Sequence, residues 1–436
     1  MTSPTLDTTI EDFVRALARE GTRRAYLVLR NGGLQASHPF LEPLARAVEA
    51  SPDFDAHEGV FFELGRATGT LLAATLHRTV RGQGAGGVRH WRYASIGAFV
   101  RDGLRLSRGM GRKNALAGLW WGGGKGVIAR EPGERYRDRA YRDALYDDYG
   151  RFVTSLRGSY VTAEDVGTTP PDMARVFGTT RFTTCIPESV GGSGNPSPAT
   201  AVGVVCAMEG ALDHLGLGTL AGKTIAMQGA GNVGSAMIQT LLERGAAKIV
   251  ASDVDAALVR ELGARFAGKP VTVRAVLPDD DSIFDEPCDV FAPNALGAVL
   301  SPRTIPRLGC RVVCGAANNQ LEDEARDDHA LAGRKITYVP DFVANRMGIV
   351  SCANEQYGSL PEDPAIVRHF GRTWENAVYV VTRRILREAD ETGKTPAEAA
   401  NRLADALAAE PHPVFPHRGK ALVEALVRER WEDARS

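Results

Sequence analysis

The chain has 436 residues, of which 44% are hydrophobic and 24% are charged, and its formal net charge is −1. A chain of this length exceeds one ordinary hydrophobic core, so we expect two domains. The composition is typical of a folded protein and argues against a disordered one. Because Lys and Arg are dispersed and balanced by acids, neither nucleic acid nor an anionic membrane is expected as a partner.

The cysteines and the N-terminus bear on metal sites and location. Six cysteines form no C-x-x-C pair and have no zinc-ligand spacing, so we predict no metal site and small buried thiols in a reducing compartment. Residues 1–11 lack the basic and apolar segments of a secretory signal, and no apolar run reaches the length of a membrane span. We therefore expect a cytoplasmic protein.

The first half of the chain mixes helices, strands and glycine-rich turns. Thr8 and Glu11 have the spacing of a capping box at the start of an amphipathic helix. Residues 122–126 (GGGKG) are predicted to form a loop from which a strand leaves. Further strands are predicted at 24–30, 60–64, 69–76 and 160–163, and helices at 40–50, 94–108 and 136–156.

Residues 191–198 (GGSGNPSP) are dense in turn residues and are the candidate linker. Beyond them strands and helices alternate, which is typical of a parallel sheet. Strands are predicted at 224–228, 248–252, 271–275, 289–292, 311–315 and 336–339, and C-terminal helices at 374–389 and 396–409.

A glycine motif follows the first strand of this second half. It reads Gly229-Ala230-Gly231-Asn232-Val233-Gly234 and leads into a helical pattern. Gly229 permits a tight turn, Gly231 lets the backbone approach a diphosphate, and Gly234 allows close packing of helix and strand. The free N–H groups and the dipole of the helix N-terminus favour the diphosphate of a dinucleotide there.

Asp253 ends the next predicted strand, about twenty residues after the glycine motif. A carboxylate at that place accepts from a ribose 2′-hydroxyl and repels a 2′-phosphate, so it favours NAD over NADP. Two alternatives remain open. Asp253 could be a turn residue only, and Arg260 could offset the repulsion of a 2′-phosphate.

Lys125 lies within the glycine-rich segment 122–126. The segment is not a phosphate-binding P-loop, because Leu119 and Gly126 occupy positions where that motif needs Gly and Ser or Thr. A lysine shielded from water near a second ammonium, that of Lys113, would have a lowered pKa and could act as a base. The alternative is two solvated lysines beside a glycine turn.

Several motifs stand in a fixed order around these lysines. Residues 108–118 (RGMGRKNALAG) precede Gly122-Gly123-Gly124-Lys125, and the other motifs lie at 86–89, 162–169, 191–198, 291–298, 315–321 and 340–343. Together they resemble the Glu/Leu/Phe/Val amino-acid dehydrogenase superfamily, and within it the leucine and phenylalanine branch. The resemblance runs from about His57 into the C-terminal helices.

The resemblance implies roles for individual residues. Lys125 is the implied catalytic lysine, and Asp165 is the carboxylate that exchanges a proton with it. The implied substrate-binding residues are Lys113 (for the α-carboxylate), Gly86, Gly87, Ala85, Ala163, Asn319, Ile349 and Cys352. The implied cofactor-binding residues are Gly229, Ala230, Gly231, Asn232, Val233, Gly234, Asp253, Thr200, Ala295 and Asn318.

The resemblance also implies an architecture and a reaction. The fold is α/β with two domains: a substrate-binding domain at 1–196, to which helices within 350–436 return, and a Rossmann-type, doubly wound parallel-sheet NAD domain at 197–349. The reaction is the reversible, NAD-dependent oxidative deamination of an L-amino acid to the 2-oxo acid and ammonia. The partners are this small-molecule substrate and further copies of the chain in a homo-oligomer.

The implied side-chain pocket is apolar. Ala85 stands where the glutamate enzymes of the superfamily carry a lysine, so a second substrate carboxylate would be left unpaired and glutamate is disfavoured. Ala85, Ala163, Ile349 and Cys352 instead suit a branched-chain or aromatic side chain, unless Trp120 or Trp121 fills the space. One methylene changes binding by only ~1–3 kcal/mol, so the preferred amino acid stays open.

The chain also departs from the family pattern. Arg346 and Met347 replace two tiny residues near the substrate, where they either reshape specificity or point outward, and Asn195 and Asn294 replace Asp and Cys. Two other functions therefore stay open. One is an NADP-dependent relative that works in reductive amination, and the other is an inactive nucleotide-binding homologue with a regulatory role.

Overall fold

A computed structural model describes residues 3–353, 355, 360 and 362–433 of the chain. The described residues form two compact units. One contains 3–194, 355 and 405–433, and the other contains 195–353, 360 and 362–404. The first boundary between them, after residue 194, falls inside the predicted linker at 191–198.

The first unit is built on a mixed sheet. Its strands are β1 (Arg24–Arg30), β2 (Gly33–Ala36), β3 (Gly59–Leu64), β4 (Leu71–His77), β5 (Gly84–Ala85), β6 (Val88–Trp91), β7 (Gly122–Ala129) and β8 (Tyr160–Val161). They lie in the order β2-β1-β3-β4-β7-β5-β8, with β6 also paired to β7. The helices are α1 (Ile10–Arg19), α2 (Glu42–Glu49), α3 (Ile96–Leu116), α4 (Arg139–Ser155) and α5 (Pro170–Phe177).

Both faces of this sheet are buried. Along β4, Leu72 and Leu76 belong to one hydrophobic core, and Leu71 and Ala73 belong to the other, as the two-residue period of a strand requires. The helix α4 covers the first core, and the helices α1, α2 and α3 cover the second. The unit is therefore a three-layer α/β structure with the sheet in the middle.

The glycine-rich segment at 122–126 is part of the buried strand β7, so the prediction of a loop there was wrong. A Cβ atom at Gly123 would fall on the carbonyl oxygen of Ser107 in α3, and one at Gly126 on the hydroxyl of Tyr149 in α4. The glycines are needed because helices on both faces approach the backbone of β7 closely. The helix α3 is also longer than predicted and carries Lys113 in its last turn.

The second unit has a parallel sheet. Its strands are β9 (Thr224–Gln228), β10 (Lys248–Asp253), β11 (Val271–Ala275), β12 (Val290–Pro293), β13 (Val312–Val313) and β14 (Thr337–Tyr338), in the order β11-β10-β9-β12-β13-β14. All five strand pairs run parallel. This is the order of a dinucleotide-binding doubly wound sheet, which confirms the predicted fold class.

The second unit also contains nine α-helices among its described residues, and the last of them follow the sheet in the chain. They are α6 (Ser197–His214), α7 (Asn232–Glu243), α8 (Ala256–Arg265), α9 (Glu324–Gly333), α10 (Asp341–Ala344), α11 (Met347–Ala353), α12 (Pro364–Val367), α13 (Val378–Thr392) and α14 (Pro396–Ala408). None of the helices among the described residues combines the length and apolar composition that crossing a membrane requires.

The C-terminal helices divide between the two units, which corrects the expectation that helices throughout 350–436 return to the first domain. Residues 362–404 cluster with the second unit because α13 packs along α6, where the Tyr379 hydroxyl donates to Asp213 (2.7 Å). The last helix, α15 (Arg418–Arg428), belongs to the first unit, since Val423 and Leu426 lie in its core.

We predict that Gly123→Ala destabilises the first unit by about 1–3 kcal/mol, because the added methyl group overlaps the Ser107 carbonyl oxygen and forces α3 away from β7. Urea unfolding of the purified variant measures this loss. The matched control is Gly109→Ala on the exposed face of α3, where an added Cβ meets nothing within 4 Å and the better helix former should stabilise slightly. Equal unfolding free energies for the two variants would contradict the close-packing argument.

Candidate active site

Lys125 and Asp165 form a shielded ion pair in the first unit. Lys125 lies in the middle of β7 opposite Thr75 of β4, and its side chain is only 5% exposed. Its Nζ lies 2.5 Å from Oδ2 of Asp165. The sequence-predicted pair is thus in direct contact.

The loop that follows β8 holds Asp165 in place. The Asp165 N–H donates to Oγ1 of Thr168 (2.9 Å), and that hydroxyl donates back to the Asp165 carbonyl (2.6 Å). Residues Val88 and Glu164 also form a parallel bridge between β6 and this loop. The carboxylate therefore approaches Lys125 from a fixed backbone.

Gly86 and Gly87 allow this approach. A Cβ atom at Gly87 would lie 2.8 Å from Cβ of Asp165, and one at Gly86 would overlap the carbonyl oxygen of Gly124. The Tyr160 hydroxyl donates to the Gly86 carbonyl (2.7 Å) and keeps that backbone in position. The two glycines therefore have a steric role beside the ion pair in addition to the substrate contact that the sequence assigned to them.

A second cation, Arg89, also contacts Asp165, at 3.4 Å from Nε to Oδ2. Burial alone would raise the pKa of the Asp165 carboxyl, but the positive charges of Lys125 and Arg89, with the hydrogen bond from Lys125, hold it below its usual value. Asp165 is therefore held as an anion beside the lysine. The sequence analysis gave Arg89 no role, although the residue stands in the motif at 86–89.

Lys113 lies in the last turn of α3 and is half-buried. The next residue, Asn114, was not singled out from the sequence. Its buried Nδ2 donates to the carbonyl oxygens of Gly122 (2.8 Å) and Ala85 (3.2 Å). These bonds attach the end of α3 to the strands β7 and β5, and so fix the turn from which Lys113 extends.

The four predicted pocket residues are buried but lie in different units. Ala85 of β5 is registered between Gly123 and Val161, and Ala163 follows β8. Ile349 and Cys352 lie in α11 of the second unit. At position 85 the first unit therefore has only the methyl group of Ala85. By the resemblance, the glutamate enzymes have a lysine at this position that binds a second carboxylate.

Arg346 and Met347 are both fully buried, so the alternative that they point outward is wrong. The Arg346 guanidinium donates to the carbonyl of Asn376, and burial lowers its pKa to about 9. Met347 packs against Gly203 of α6, where a Cβ would collide with its side chain. Both long side chains pack within the second unit at the start of α11, which carries Ile349.

The cysteines depart in part from the expectation of small buried thiols. Cys206, Cys310 and Cys314 are free and buried, and Cys288 is free and partly exposed. Cys185 and Cys352 each take part in a disulfide bond, so these two are not thiols. Among the residues that the structure describes, no three His, Cys, Asp or Glu side chains are grouped so as to hold a metal ion.

The glycine motif of the second unit forms an open cradle at the start of α7. Gly231 is the N-cap of that helix, no side chain caps it, and an added Cβ would meet nothing within 4 Å. Gly229 has a φ of +95°, and a Cβ there would lie 2.9 Å from the Ala295 nitrogen. A Cβ at Gly234 would lie 2.6 Å from the Gly229 carbonyl oxygen. The helix N–H groups of Asn232 and Val233 are therefore open to an anion.

Asp253 ends β10 beside this cradle. Its Oδ2 accepts from the Ala230 N–H (2.8 Å), and its Oδ1 accepts from the Asp255 N–H (3.0 Å). The carboxylate thus holds the glycine turn and also closes its own turn. Asp253 is therefore a turn residue, as the alternative held, and it also lies at the edge of the cradle.

Asparagines gather at the carboxyl ends of β12 and β13. Asn294 accepts from the Ala316 N–H through Oδ1 (2.8 Å), while its buried Nδ2 has no hydrogen-bond partner among the described residues. Asn345 donates to Asn318 Oδ1 (2.8 Å). Asn319 has a φ of +52° and donates its N–H to Asp341 (2.9 Å).

Ala295 and Thr200 complete the set of predicted cofactor residues. Ala295 contacts the Gly229 turn, so the asparagine group and the cradle meet where the strand order reverses between β9 and β12. Ligands of doubly wound sheets bind at this place. Thr200 lies in the first turn of α6, donates to the Pro196 carbonyl (2.9 Å) and would contact a Cβ at Gly348.

Two family models match parts of the chain. A family model described as Glutamate/Leucine/Phenylalanine/Valine dehydrogenase matches residues 191–410, and one described as Glu/Leu/Phe/Val dehydrogenase, dimerisation domain, matches residues 70–182. A leucine dehydrogenase of Geobacillus stearothermophilus is 40% identical over 69% of this chain and 79% of its own. A valine dehydrogenase of Streptomyces coelicolor is 40% identical over 83% of this chain and 94% of its own.

Among solved structures, L-tryptophan dehydrogenase from Nostoc punctiforme matches with a TM-score of 0.66 and 32% identity, over 81% of this chain and 96% of that one. The relatives thus share sequence through both units, including the segments that carry the lysine–aspartate pair and the glycine cradle. The chain belongs to the Glu/Leu/Phe/Val dehydrogenase family.

Proposed function

We propose that this protein catalyses the reversible, NAD-dependent oxidative deamination of an apolar L-amino acid to the 2-oxo acid and ammonia. The observation that carries the proposal is the contact of Lys125 Nζ with the anionic Asp165 in a site nearly closed to water. A lysine next to an ionised carboxylate suits proton transfer at an amine-bearing carbon. Similarity to leucine, valine and tryptophan dehydrogenases supports the substrate class.

In the proposed site Lys113 binds the substrate α-carboxylate, because the bonds of Asn114 fix the end of α3 above β7. Gly86 and Gly87 lie beside the ion pair, and their lack of a side chain lets the neighbouring backbone come close. Ala85 provides no charge for a second carboxylate, so glutamate is a poor substrate. Ala163 of the first unit is proposed to contact the apolar substrate side chain. In the second unit Ile349, Cys352 and Asn319 are the proposed substrate-binding residues.

Lys125 and Asp165 are proposed to divide the acid–base work. When bound, the nicotinamide ring supplies the acceptor for the hydride that leaves the substrate Cα. Lys125 in its neutral form takes a proton from the water that adds to the resulting imine. Asp165 receives a proton through the 2.5 Å contact and returns it to the departing amino group. The positive charges of Lys125 and Arg89 hold the pKa of Asp165 below its usual value, so the carboxylate is ionised when the step begins.

The second unit is proposed to hold NAD. Gly231, Asn232 and Val233 offer backbone N–H groups to the diphosphate at the uncapped start of α7. Asp253 is positioned by the Ala230 N–H to accept from a ribose hydroxyl. The unpartnered Nδ2 of Asn294 lies next to Ala295, where Thr200 and Asn318 are proposed to meet the nicotinamide. The donor set and the open cradle fit a dinucleotide.

A further copy of this chain is the proposed partner. Residues 70–182, which include β7 and the Asp165 loop, match the model described as a dimerisation domain. A homo-oligomer of this protein in the cytoplasm completes the proposal.

The proposed function is tested by nicotinamide absorbance at alkaline pH. We expect NAD reduction with L-leucine, L-valine, L-phenylalanine or L-tryptophan, little with L-glutamate, and less with NADP. The reverse assay uses the matching 2-oxo acids with ammonia and the reduced cofactor. An unchanged signal in every combination, from folded protein, would rule out the enzyme and favour a nucleotide-binding homologue without turnover.

Lys125→Ala should lower kcat by about 10²–10⁴-fold, because the general base is removed. Stopped assays with the preferred amino acid measure this loss, and circular dichroism checks the fold. Lys420→Ala, at an exposed lysine of α15 in the same unit, is the matched control and should keep full turnover. Near wild-type kcat in Lys125→Ala would remove the lysine from the mechanism.

Asp253→Asn should lower the preference for NAD over NADP by about tenfold or more, which corresponds to ~1.4 kcal/mol of lost repulsion. Asparagine keeps an oxygen for the Ala230 N–H and removes only the charge. The ratio of kcat/KM for the two cofactors is the measurement. Asp279→Asn, at an exposed aspartate of the same unit, controls for net charge. An unaltered ratio in Asp253→Asn would show that this carboxylate does not select the cofactor.

A further inference from the structure

Asp165 has a second positive neighbour whose own position is controlled by two more residues. Arg89 contacts Asp165 through Nε (3.4 Å) and Asp102 through Nη1 (3.1 and 3.3 Å to the two oxygens). The hydroxyl of Tyr93 donates to Oδ2 of Asp102 (2.6 Å). The residues form a continuous chain of contacts from Tyr93 through Asp102 and Arg89 to Asp165 and Lys125.

Arg89 and Asp102 lie in regular elements. Arg89 is in β6, registered against Val127 two residues after Lys125 in β7. Asp102 is in α3, the helix whose last turn carries Lys113. The Tyr93 ring packs edge-on against Phe99 of the same helix, with ring centroids 5.3 Å apart. The side chains of Arg89, Asp102 and Asp165 are each about one-fifth exposed or less, so their charges are only partly screened by water.

The chain of contacts balances two cations against two carboxylates. If Lys125 loses its proton, as the proposed function requires, Asp165 loses its nearest counter-charge inside the protein. A carboxylate left in that state would take up a proton too early. Arg89 does not lose its proton, because guanidinium stays charged in proteins. Burial lowers the pKa of Arg89, but the carboxylates of Asp165 and Asp102 outweigh it and raise that pKa overall.

Tyr93 stays protonated and therefore remains a hydrogen-bond donor to Asp102. Burial, together with the neighbouring Asp102 carboxylate that accepts its hydroxyl, raises the pKa of Tyr93 well above its ordinary value. Its hydroxyl therefore keeps its proton at the alkaline pH at which amino acids are oxidised. Asp102 is thus oriented from one side by Tyr93 and binds Arg89 from the other.

We propose that Arg89, held by Asp102 and Tyr93, is a positioning residue that keeps Asp165 ionised and directed at Lys125 while the charge of the lysine changes. The inference rests on the proposed function and adds to it a residue that acts through Asp165, the carboxylate of the acid–base pair. This role accounts for the ion pair between Arg89 of β6 and Asp102 of α3 beside the Asp165 carboxylate.

Kinetics provide the first test. Arg89→Gln should lower kcat by about 10–100-fold with little change in KM, and it should move the rising limb of the pH profile of kcat upward by about one unit. The sign follows because losing the Arg89 cation raises the pKa of Asp165. Arg89→Lys should restore most of the pH limb, since it restores the charge. The control is Arg92→Gln, which removes an exposed charge three residues away.

Tyr93→Phe tests the support of Asp102. It removes one hydroxyl and should shift the same limb in the same direction by less, with a severalfold loss of kcat. A Tyr93→Phe enzyme identical to the wild type would remove Tyr93 from the proposal. An Arg89→Gln enzyme whose kcat and pH limb match those of Arg92→Gln would overturn the proposal as a whole.

A second measurement does not need activity. Because the pKa of Asp165 is lower in the folded protein, its charge contributes stability above its unfolded pKa of about 3.9, and this stability is lost as the pH falls through the folded pKa. The difference in unfolding free energy between the wild type and Asp165→Asn, followed by urea unfolding from pH 7 to pH 3, reports this loss. On an Arg89→Gln background the folded pKa of Asp165 should lie closer to the unfolded one, so the loss should be smaller and should be complete at higher pH.

The two readouts separate the two ideas. If the wild type oxidises no amino acid, the proposed function fails, and the stability profile alone decides whether Arg89 holds Asp165 ionised. If the wild type is active and the profile on the Arg89→Gln background is unchanged, the inference about Arg89 fails and the proposed function stands.

Discussion

The ion pair of Lys125 and Asp165 sets the main constraint on the first unit. Two charges lie 2.5 Å apart with little access to water, and removing charges from water is costly unless each is well compensated. The compensation comes from Arg89 and from the hydrogen bonds that fix the backbone around Thr168. The pair is therefore stable only where the surrounding backbone can come very close.

That requirement accounts for the composition of the centre of the sheet. The strand β7 carries Lys125 among glycines because α3, α4 and the neighbouring strands leave no room for other side chains. The same helix α3 holds Asp102 near its start and Lys113 at its end. One close contact between a helix and a strand thus positions the proposed carboxylate-binding lysine and the support of the proposed acid–base pair.

The second unit is proposed to bind an anion with backbone groups. Its glycine turn is held by Asp253 through the Ala230 N–H, so one carboxylate supports the cradle and is proposed to select the cofactor. The bulky Arg346 and Met347, which break the family pattern, are absorbed by packing against α6 and the segment around Asn376. Both side chains therefore pack at the start of α11, the helix that carries Ile349.

Part of the fold and the lysine–aspartate pair could be predicted from the sequence. The strands at 224–228 and 271–275 and the glycine motif at 229–234 follow from local patterns, because a buried parallel strand and a helix start each leave a short signature. The pairing of Lys125 with Asp165 came from the resemblance to a family, and the geometry agrees with it. For these features neighbouring residues along the chain carry the information.

Other features were decided only by the tertiary structure. Glycines have no side chain to show a period, so residues 122–126 suggested a loop, while close packing by α3 and α4 makes them a strand. The contact of Arg89 with Asp165 joins residues 76 positions apart, and the sequence around either residue does not indicate it. The assignment of α13 to the second unit likewise depends on its packing against α6. Sequence patterns determine which residue types stand in each element, and packing between distant elements decides which of them meet.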